Sequence, residues 1–361
     1  MNDQLPNIAA VDLFCGVGGL THGLVRSGID VRAGVDLDPH CKYPFEANNK
    51  APFIERDVND LTSSELEPYL NSGKYSLLAG CAPCQPFSTY SQGGRSKKRG
   101  LDWQLVLKFG ALVSDLQPDL VTMENVAQLA GHDVFADFLK HLDGYSINWS
   151  VVDCTKIGVP QSRKRLVLMA SKLGSAGLTL ESQFTPSVRT VRQEISKLPP
   201  ISAGEQHEKD PLHIAPSLSD MNMRRMKASK PGGTWRDWSP ELIAACHRKT
   251  TGATYPSVYG RMEWDAPSPT ITTQCFGFGN GRFGHPTQDR AISLREAAML
   301  QTFPRGYKFL PKGDRVLFNR LGRLIGNAVP VRLGEAIGTA LTQHVRSVES
   351  GDSTEHSGVL F

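Results

Sequence analysis

The 361 residues include 40 Lys+Arg against 36 Asp+Glu, a net charge of +4, with 40% hydrophobic and 21% charged residues. This is the balance of an ordinary globular chain with core enough for one large or two smaller domains. It excludes a chain short of core, and no apolar stretch approaches the ~20 residues that would span a bilayer. The mild basic excess permits a nucleic-acid partner without demanding one.

Residues 8–14 form an apolar run that reads as a buried strand, and 19–26 follow as a helix. Residues 31–35 and 76–79 read as further strands, and 104–116 carry apolar residues at a helical period. A strand at 120–123, a helix at 134–142 and strands at 147–152 and 166–170 complete the regular half. This alternation predicts a doubly wound α/β sheet with ligands at the carboxyl ends of its strands. Only residues 153–165 separate the last two strands, too few for a helical crossover, so they should form an antiparallel pair at one edge.

Residues 172–290 are rich in Pro, Gly and isolated aromatics. A loop-rich second domain is expected rather than disorder, anchored by Trp235, Trp238, Tyr255, Tyr259 and Trp264. Between 222 and 262 stand eight Lys/Arg (224, 225, 227, 230, 236, 248, 249 and 261) against Asp237 and Glu241, so the basic excess is local. Near the end, Leu333, Ala336, Ile337, Ala340 and Leu341 share one face of a helix that needs a surface to cover.

Two stretches carry candidate chemistry. DLFCGVGG (12–19) is a Gly-rich turn from strand to helix, where bare backbone and a helix N-terminus can meet a ligand. The dinucleotide spacing G-x-G-x-x-G fails because Thr21 stands where the third glycine belongs. Asp36, at the next strand end, can accept from a ribose diol, and Asp57 follows a third apolar stretch. GCAPCQPFS (80–88) holds Cys81 and Cys84, which read alone leave a metal hook, a redox pair, a buried structural pair or a nucleophile open. No further ligands stand at zinc spacing, and no metal is expected. The seven cysteines (15, 41, 81, 84, 154, 246 and 275) are odd in number, and no secretory leader pattern precedes them, which implies free thiols in a reducing cytoplasm.

DLFCGVGG (12–19), PCQPFS (83–88), MENV (123–126), QSRKR (161–165), REAAMLQTFP (295–304) and GNAVPV (326–331) occur in the order of the cytosine-C5 DNA methyltransferases. The chain resembles that family from about residue 8 to 345. The resemblance implies a Rossmann-like class I methyltransferase core using S-adenosylmethionine, with a smaller, loop-rich target-recognition domain. The expected boundaries are 1–171 completed by 322–347 for the core, 172–321 for the small domain, and 348–361 for a flexible tail. Carried over residue by residue, Cys84 is the nucleophile that adds to C6 of a flipped cytosine. Glu124 holds N3 and the exocyclic amine, Arg165 the O2 edge, and Arg163 with Gln161 braces the catalytic loop or its phosphates. Cysteine is needed because C5 takes a methyl group only after a thiolate has made the ring enamine-like.

The same resemblance puts Phe14 on adenine, Gly16, Val17 and Gly19 around the methionine moiety, Asp36 on the ribose and Asp57 at the adenine amine. Asp12, Val58, Pro83, Asn327 and Val329 complete that pocket. Leu37 departs from the pattern, since many relatives have an aromatic residue there. DNA contacts are expected from Gln85, Ser88, Lys97, Lys98, Arg99 and Gln161, with residues 83–100 as a mobile basic loop. Further contacts are expected from Arg224, Arg225, Lys227 and Arg236. Cys81, still close to the apolar run, should pack inward. The implied protein is a monomeric, cytoplasmic partner of double-stranded DNA, with a cognate restriction endonuclease as a further partner. The competing readings are an RNA cytosine methyltransferase acting on tRNA, a catalytically silent DNA-binding paralogue, and a dinucleotide oxidoreductase. The tRNA branch places Cys-Phe-Thr where this chain has Cys275-Phe276-Gly277. Intact Cys84, Glu124 and Arg165 oppose a silent paralogue, and the glycine spacing opposes the oxidoreductase.

Overall fold

A computed structural model describes residues 5–83, 96–185 and 187–351, with backbone alone at 96–102 and 253. Within Met1–Ile157, Lys164–Thr185 and Val329–Phe361 the described residues form one compact unit, and within Gly158–Arg163 and Pro186–Ala328 a second.

The elements run β1 (Ile8–Leu13), α1 (Gly19–Arg26), β2 (Asp30–Asp36), α2 (Lys42–Asn49), β3 (Phe53–Glu55), α3 (Ser63–Leu70), β4 (Tyr75–Gly80) and α4 (Ser96–Leu116). There follow β5 (Leu120–Val126), α5 (Asp133–Lys140), β6 (Ser146–Asp153), the two-residue β7 (Gln161–Ser162) and β8 (Lys164–Ser171). The second unit then contributes α6 (Val191–Ile195), α7 (Asp220–Ala228), β9 (Ser268–Pro269), α8 (Leu294–Leu300) and α9 (Phe318–Asn327), and α10 (Val331–Ser350) returns to the first.

The first unit is a seven-stranded sheet in the order β3-β2-β1-β4-β5-β8-β6. Only β8 is reversed, antiparallel to both β5 and β6, so the expected antiparallel edge pair is present. All six residues of β1 are buried, as a central parallel strand covered on both faces requires. Its register sets Leu13 beside Val35 of β2 and Gly80 of β4, and Gly80 in turn beside Met123 of β5. β1, β2 and β4 therefore end within a residue of one level, and β5 runs three residues beyond it.

The surface that α10 covers is α1. Glycines let the two backbones touch: a Cβ on Gly23 would lie 2.3 Å from Glu335 N and 2.4 Å from Val331 O, and one on Gly334 2.7 Å from Leu20 O. Residues after β8 stay with the first unit as far as Thr185. His344 on α10 bonds Ser171 Oγ at 2.7 Å and Ala176 O at 2.6 Å, and Thr185 N donates to Lys156 O at 2.6 Å. The unit boundaries thus fall at 185/186 and 328/329, against the expected 171/172 and 321/322. Helix α4 begins at Ser96, so its first turn takes up residues that read as loop.

The second unit has short elements and long connections. Its interior is apolar with buried arginines set into it. Arg290, fully buried, meets both oxygens of Glu296 at 2.7 Å, and Ser293 N donates to Glu296 at 2.7 Å. Arg261, counted above in the basic surface window, is also buried. It donates to the carbonyls of Met226, Ser229, His285 and Gln288 and pairs with Asp289. Trp235 and Trp238 are buried anchors as expected, whereas the Tyr255 side chain is 55% exposed and its carbonyl accepts from Trp235 Nε1 at 3.0 Å.

Two outcomes follow from this packing. Alanine normally gains about 1 kcal/mol over glycine in a helix. At Gly23 the obstruction is backbone, so Gly23→Ala should instead lose about 1–3 kcal/mol in urea unfolding. Gly131→Ala, where a Cβ meets nothing within 4 Å, should stay within about 0.5 kcal/mol. A Gly23→Ala protein as stable as wild type would refute the contact.

The second outcome concerns His285, which packs beside Glu296 with its Nδ1 accepting from Thr287 N and Gln288 N. Burial, aided by the charges of Arg290 and Arg261 and opposed by Glu296, lowers its pKa to about 4. The unfolded imidazole takes a proton near pH 6.5 while the folded one stays neutral, so stability is lost as pH falls from about 6.5 toward 4. Between pH 7 and 5, wild type should lose about 2 kcal/mol relative to His285→Gln. Parallel pH curves would contradict this.

Candidate active site

The loop leaving β1 is folded by left-handed residues: Phe14 at φ 58°, Gly16 at 52° and Gly18 at 85°. A non-glycine residue in that region is strained, and such strain collects at functional sites. Gly16 N donates to Asp36 Oδ2 and Asp38 N to Asp36 Oδ1, both at 2.9 Å, which ties the end of β2 to this loop. Burial raises the Asp36 carboxyl above its ordinary pKa, against these amide bonds. A Cβ at Gly16 would meet nothing within 4 Å, so that side of the loop is open. Val17 and Gly19 are buried at the start of α1.

Leu37, just past β2, is 62% exposed, an apolar side chain at the sheet end with little covering it. Asp57 accepts from Asn59 N at 2.9 Å, and Val58 beside it is buried. Asp12 is wholly buried: its Oδ2 accepts from Thr21 Oγ1 at 2.6 Å, while Oδ1 has no partner among the described residues. Burial brings its pKa to about 7, against the Thr21 bond and with a push from Asp36. Val329 is buried in the same unit. Asn327 lies in the second unit, exposed at the end of α9.

At the ends of β4 and β5 the arrangement is polar and buried. Glu124 is 2% exposed. Antiparallel pairing sets Glu124 beside Val167 and Val126 beside Arg165, so Glu124 and Arg165 are diagonal neighbours on one face. Arg165 Nε lies 2.9 Å from Glu124 Oε1 as an ion pair, and its Nη1 donates to Lys164 O at 2.8 Å. That contact is charge proximity rather than an aligned hydrogen bond, since Oε1 has no hydrogen-bond partner among the described residues. The other oxygen, Oε2, accepts from Cys81 Sγ at 2.7 Å. Cys81 therefore does not pack inward as expected; it is half-buried, with its thiol turned to the carboxylate. Asn125 Nδ2 donates to Ala82 O at 3.0 Å and holds the segment after β4 to the end of β5.

Pro83 is half-buried and is the last described residue before a gap. Cys84, Gln85 and Ser88 lie outside the described residues, and Lys97, Lys98 and Arg99 stand in the first turn of α4 with backbone alone described.

In the second unit Gln161 is fully buried and satisfied on both ends of its amide. It donates to Leu300 O at 3.1 Å and Gln301 Oε1 at 2.9 Å, and accepts from Ile271 N at 2.8 Å. Arg163, also buried, donates to Ile271 O at 3.2 Å and Gln161 Oε1 at 3.3 Å. Gln301 continues the network to the carbonyls of Ile325 and Ala328. Arg224, Lys227 and Arg236 are exposed. Arg225 is not their equivalent: its Nε donates to Leu242 O at 2.7 Å and its guanidinium lies over the rings of Tyr259 and Trp238. Among the described residues no group of three or more His, Cys, Asp or Glu could hold a metal ion, and no helix is long and apolar enough to cross a membrane.

Cys81, Asn125 and Gln301 are the site and bracing residues that reading from sequence missed. The last two stand in MENV and REAAMLQTFP, and that placement was the available signal.

A family profile described as C-5 cytosine-specific DNA methylase matches residues 8–343. The chain is 48% identical over 345 residues to Type II methylase M.HgiDII of Herpetosiphon aurantiacus, covering 94% of this chain and 96% of that protein. It is 30% identical to Type II methyltransferase M1.HphI of Haemophilus parahaemolyticus, covering 93% and 87%. In fold it resembles a prophage-encoded DNA modification methyltransferase of E. coli, with a TM-score of 0.70 at 22% identity over 93% of this chain and 99% of that one. The sheet is thus a Rossmann-like methyltransferase fold.

Proposed function

The chain belongs to the C-5 cytosine-specific DNA methylase family, and from that premise we propose that it transfers a methyl group from S-adenosylmethionine to C5 of a cytosine flipped out of duplex DNA. The observation that carries this reading is Glu124, a buried carboxylate within β5 whose Oε1 lies beside the Arg165 guanidinium without an aligned hydrogen bond. Burying such an oxygen without a donor costs free energy. The cost is recovered when a ligand donor arrives, and the exocyclic amine of cytosine is one.

The residues at the ends of β1 and β2 fit S-adenosylmethionine. The open side of Gly16 leaves room for the methionine moiety, with Val17 and Gly19 behind it, and Asp36 has lone pairs left for a ribose diol. Phe14 and the exposed Leu37 would flank adenine, Asp57 and Val58 would face its amine edge, and Asp12, Pro83 and Val329 would complete the enclosure. When bound, the sulfonium supplies an electrophilic methyl group.

Cys84, placed by Pro83-Cys84-Gln85, acts as the nucleophile: its thiolate adds to C6 and makes C5 nucleophilic. A proton held between Glu124 and N3 passes to the ring as the thiolate adds, the other Glu124 oxygen accepts from the exocyclic amine, and Arg165 meets the O2 edge, which together neutralise the negative charge that addition puts on the base. After methylation water takes the C5 proton, the electron pair of that C–H bond re-forms the C5–C6 double bond, and the C6–S bond breaks to return the Cys84 thiolate and the aromatic ring. Flipping is required because C6 cannot be approached inside the stack.

Gln161 supports this chemistry by fixing Arg163, in keeping with a bracing role for QSRKR. Among the candidate small-domain contacts, the exposed Arg224, Lys227 and Arg236 would meet phosphates, and Lys97, Lys98, Arg99, Gln85 and Ser88 would approach from the segment after Cys84. The named type II relatives make a cognate restriction endonuclease the natural partner, with the enzyme acting as a monomer in the cytoplasm.

The test uses duplex DNA containing 5-fluorocytosine together with S-adenosylmethionine. Wild type should form an adduct that survives denaturation, because fluorine cannot leave as a proton does, and Cys84→Ser should form none while still binding DNA. An adduct with Cys84→Ser would remove Cys84 from the mechanism, and faster labelling of tRNA than of duplex DNA would reverse the substrate.

A further inference from the structure

Resting on that reading, we propose that Cys81 is a positioning residue for the reaction: its thiol fixes the carboxylate plane of Glu124 so that Oε1 faces the target base. Two independent observations meet here. Cys81 Sγ donates to Glu124 Oε2 at 2.7 Å, and Glu124 Oε1 is the buried oxygen without a hydrogen-bond partner among the described residues. The torsion that turns a glutamate carboxyl about its last bond is broad and roughly two-fold. Burial alone therefore does not choose which oxygen a ligand meets.

The charge of Arg165, 2.9 Å from Oε1, attracts that oxygen without an aligned hydrogen bond, so it sets distance more than direction. The thiol supplies the direction. Backbone geometry makes the placement stiff: Cys81 N donates to Leu13 O at 3.2 Å at the shared level of β1 and β4, and Asn125 holds Ala82 to β5. The acceptor is thus carried on β5 and the donor on the residue directly after β4, tied by backbone bonding to β1, which is an arrangement that preorganises a site. Cys81 itself forms no bond to the substrate in this account.

A packing role and a positioning role order the substitutions differently. If Cys81 only fills space, Cys81→Ala and Cys81→Val keep the turnover rate and Cys81→Ser, which places a hydroxyl there, is the worst of the three. If the thiol acts as a donor, serine supplies one and rescues, whereas alanine and valine do not. We expect kcat for methyl transfer to plasmid DNA lacking cytosine methylation to fall about tenfold or more in Cys81→Ala and Cys81→Val, the loss of one hydrogen bond to a charged group. Cys81→Ser should stay within about threefold of wild type. KM for DNA and the Kd for S-adenosylmethionine should move less than kcat in all three, and melting temperatures identify any variant that fails to fold. In a Glu124→Gln background, Cys81→Ala should lower kcat no further.

Wild-type kcat in Cys81→Ala with a slower Cys81→Ser, or losses that simply add to those of Glu124→Gln, would overturn the proposal. A wild-type protein that transfers no methyl group would instead sink the functional reading, and this inference with it.

Discussion

The site depends on the register of four parallel strands. Leu13, Val35, Gly80 and Met123 lie side by side on β1, β2, β4 and β5, so the next residue along each is Phe14, Asp36, Cys81 or Glu124. A slip of one residue would turn each of these side chains to the opposite face of its strand. The buried, contiguous apolar runs of the strands hold that register. The helices packed on the sheet, with α10 laid backbone to backbone on α1 through Gly23 and Gly334, keep it covered. The β1/β4 junction, where successive crossovers diverge, is where an open α/β sheet leaves a crevice for a ligand.

Two buried glutamates show how structure and function divide the same chemistry. Glu296 has both oxygens on Arg290 and a backbone amide besides, and burial is more than offset, since its pKa lies below the ordinary value. It is a closed network whose worth is to fix the second unit. Glu124 has one oxygen on a thiol and one beside an arginine without an aligned bond. Unsatisfied polarity inside an otherwise well-paired protein marks a group kept for something that arrives later.

Much of this was legible because buried parallel strands announce themselves as apolar runs, and Ile8–Leu13, Tyr75–Gly80 and Leu120–Val126 fall where those runs stand. The reversed β8 followed from the shortness of its connection. The first turn of α4 was hidden by its polar sequence SKKRG, in which Gly100 also weakens the helical signal. Side-chain partners were the least legible. Arg261 and Arg225 count as basic surface in a composition window, and only tertiary folding reveals that their guanidiniums are used on carbonyls and rings inside the unit. Cys81 looked like core because it follows Leu77, Leu78 and Ala79, yet it sits one residue past the strand, where a side chain no longer needs to face the interior.

The most direct measurement is bisulfite sequencing of a plasmid carrying the gene, grown in cells without other cytosine methylation. The account predicts unconverted cytosines at one fixed sequence context, on duplex DNA, and complete conversion when the plasmid encodes Glu124→Ala. Complete conversion with the wild-type gene, or an unchanged protected pattern with Glu124→Ala, would contradict it.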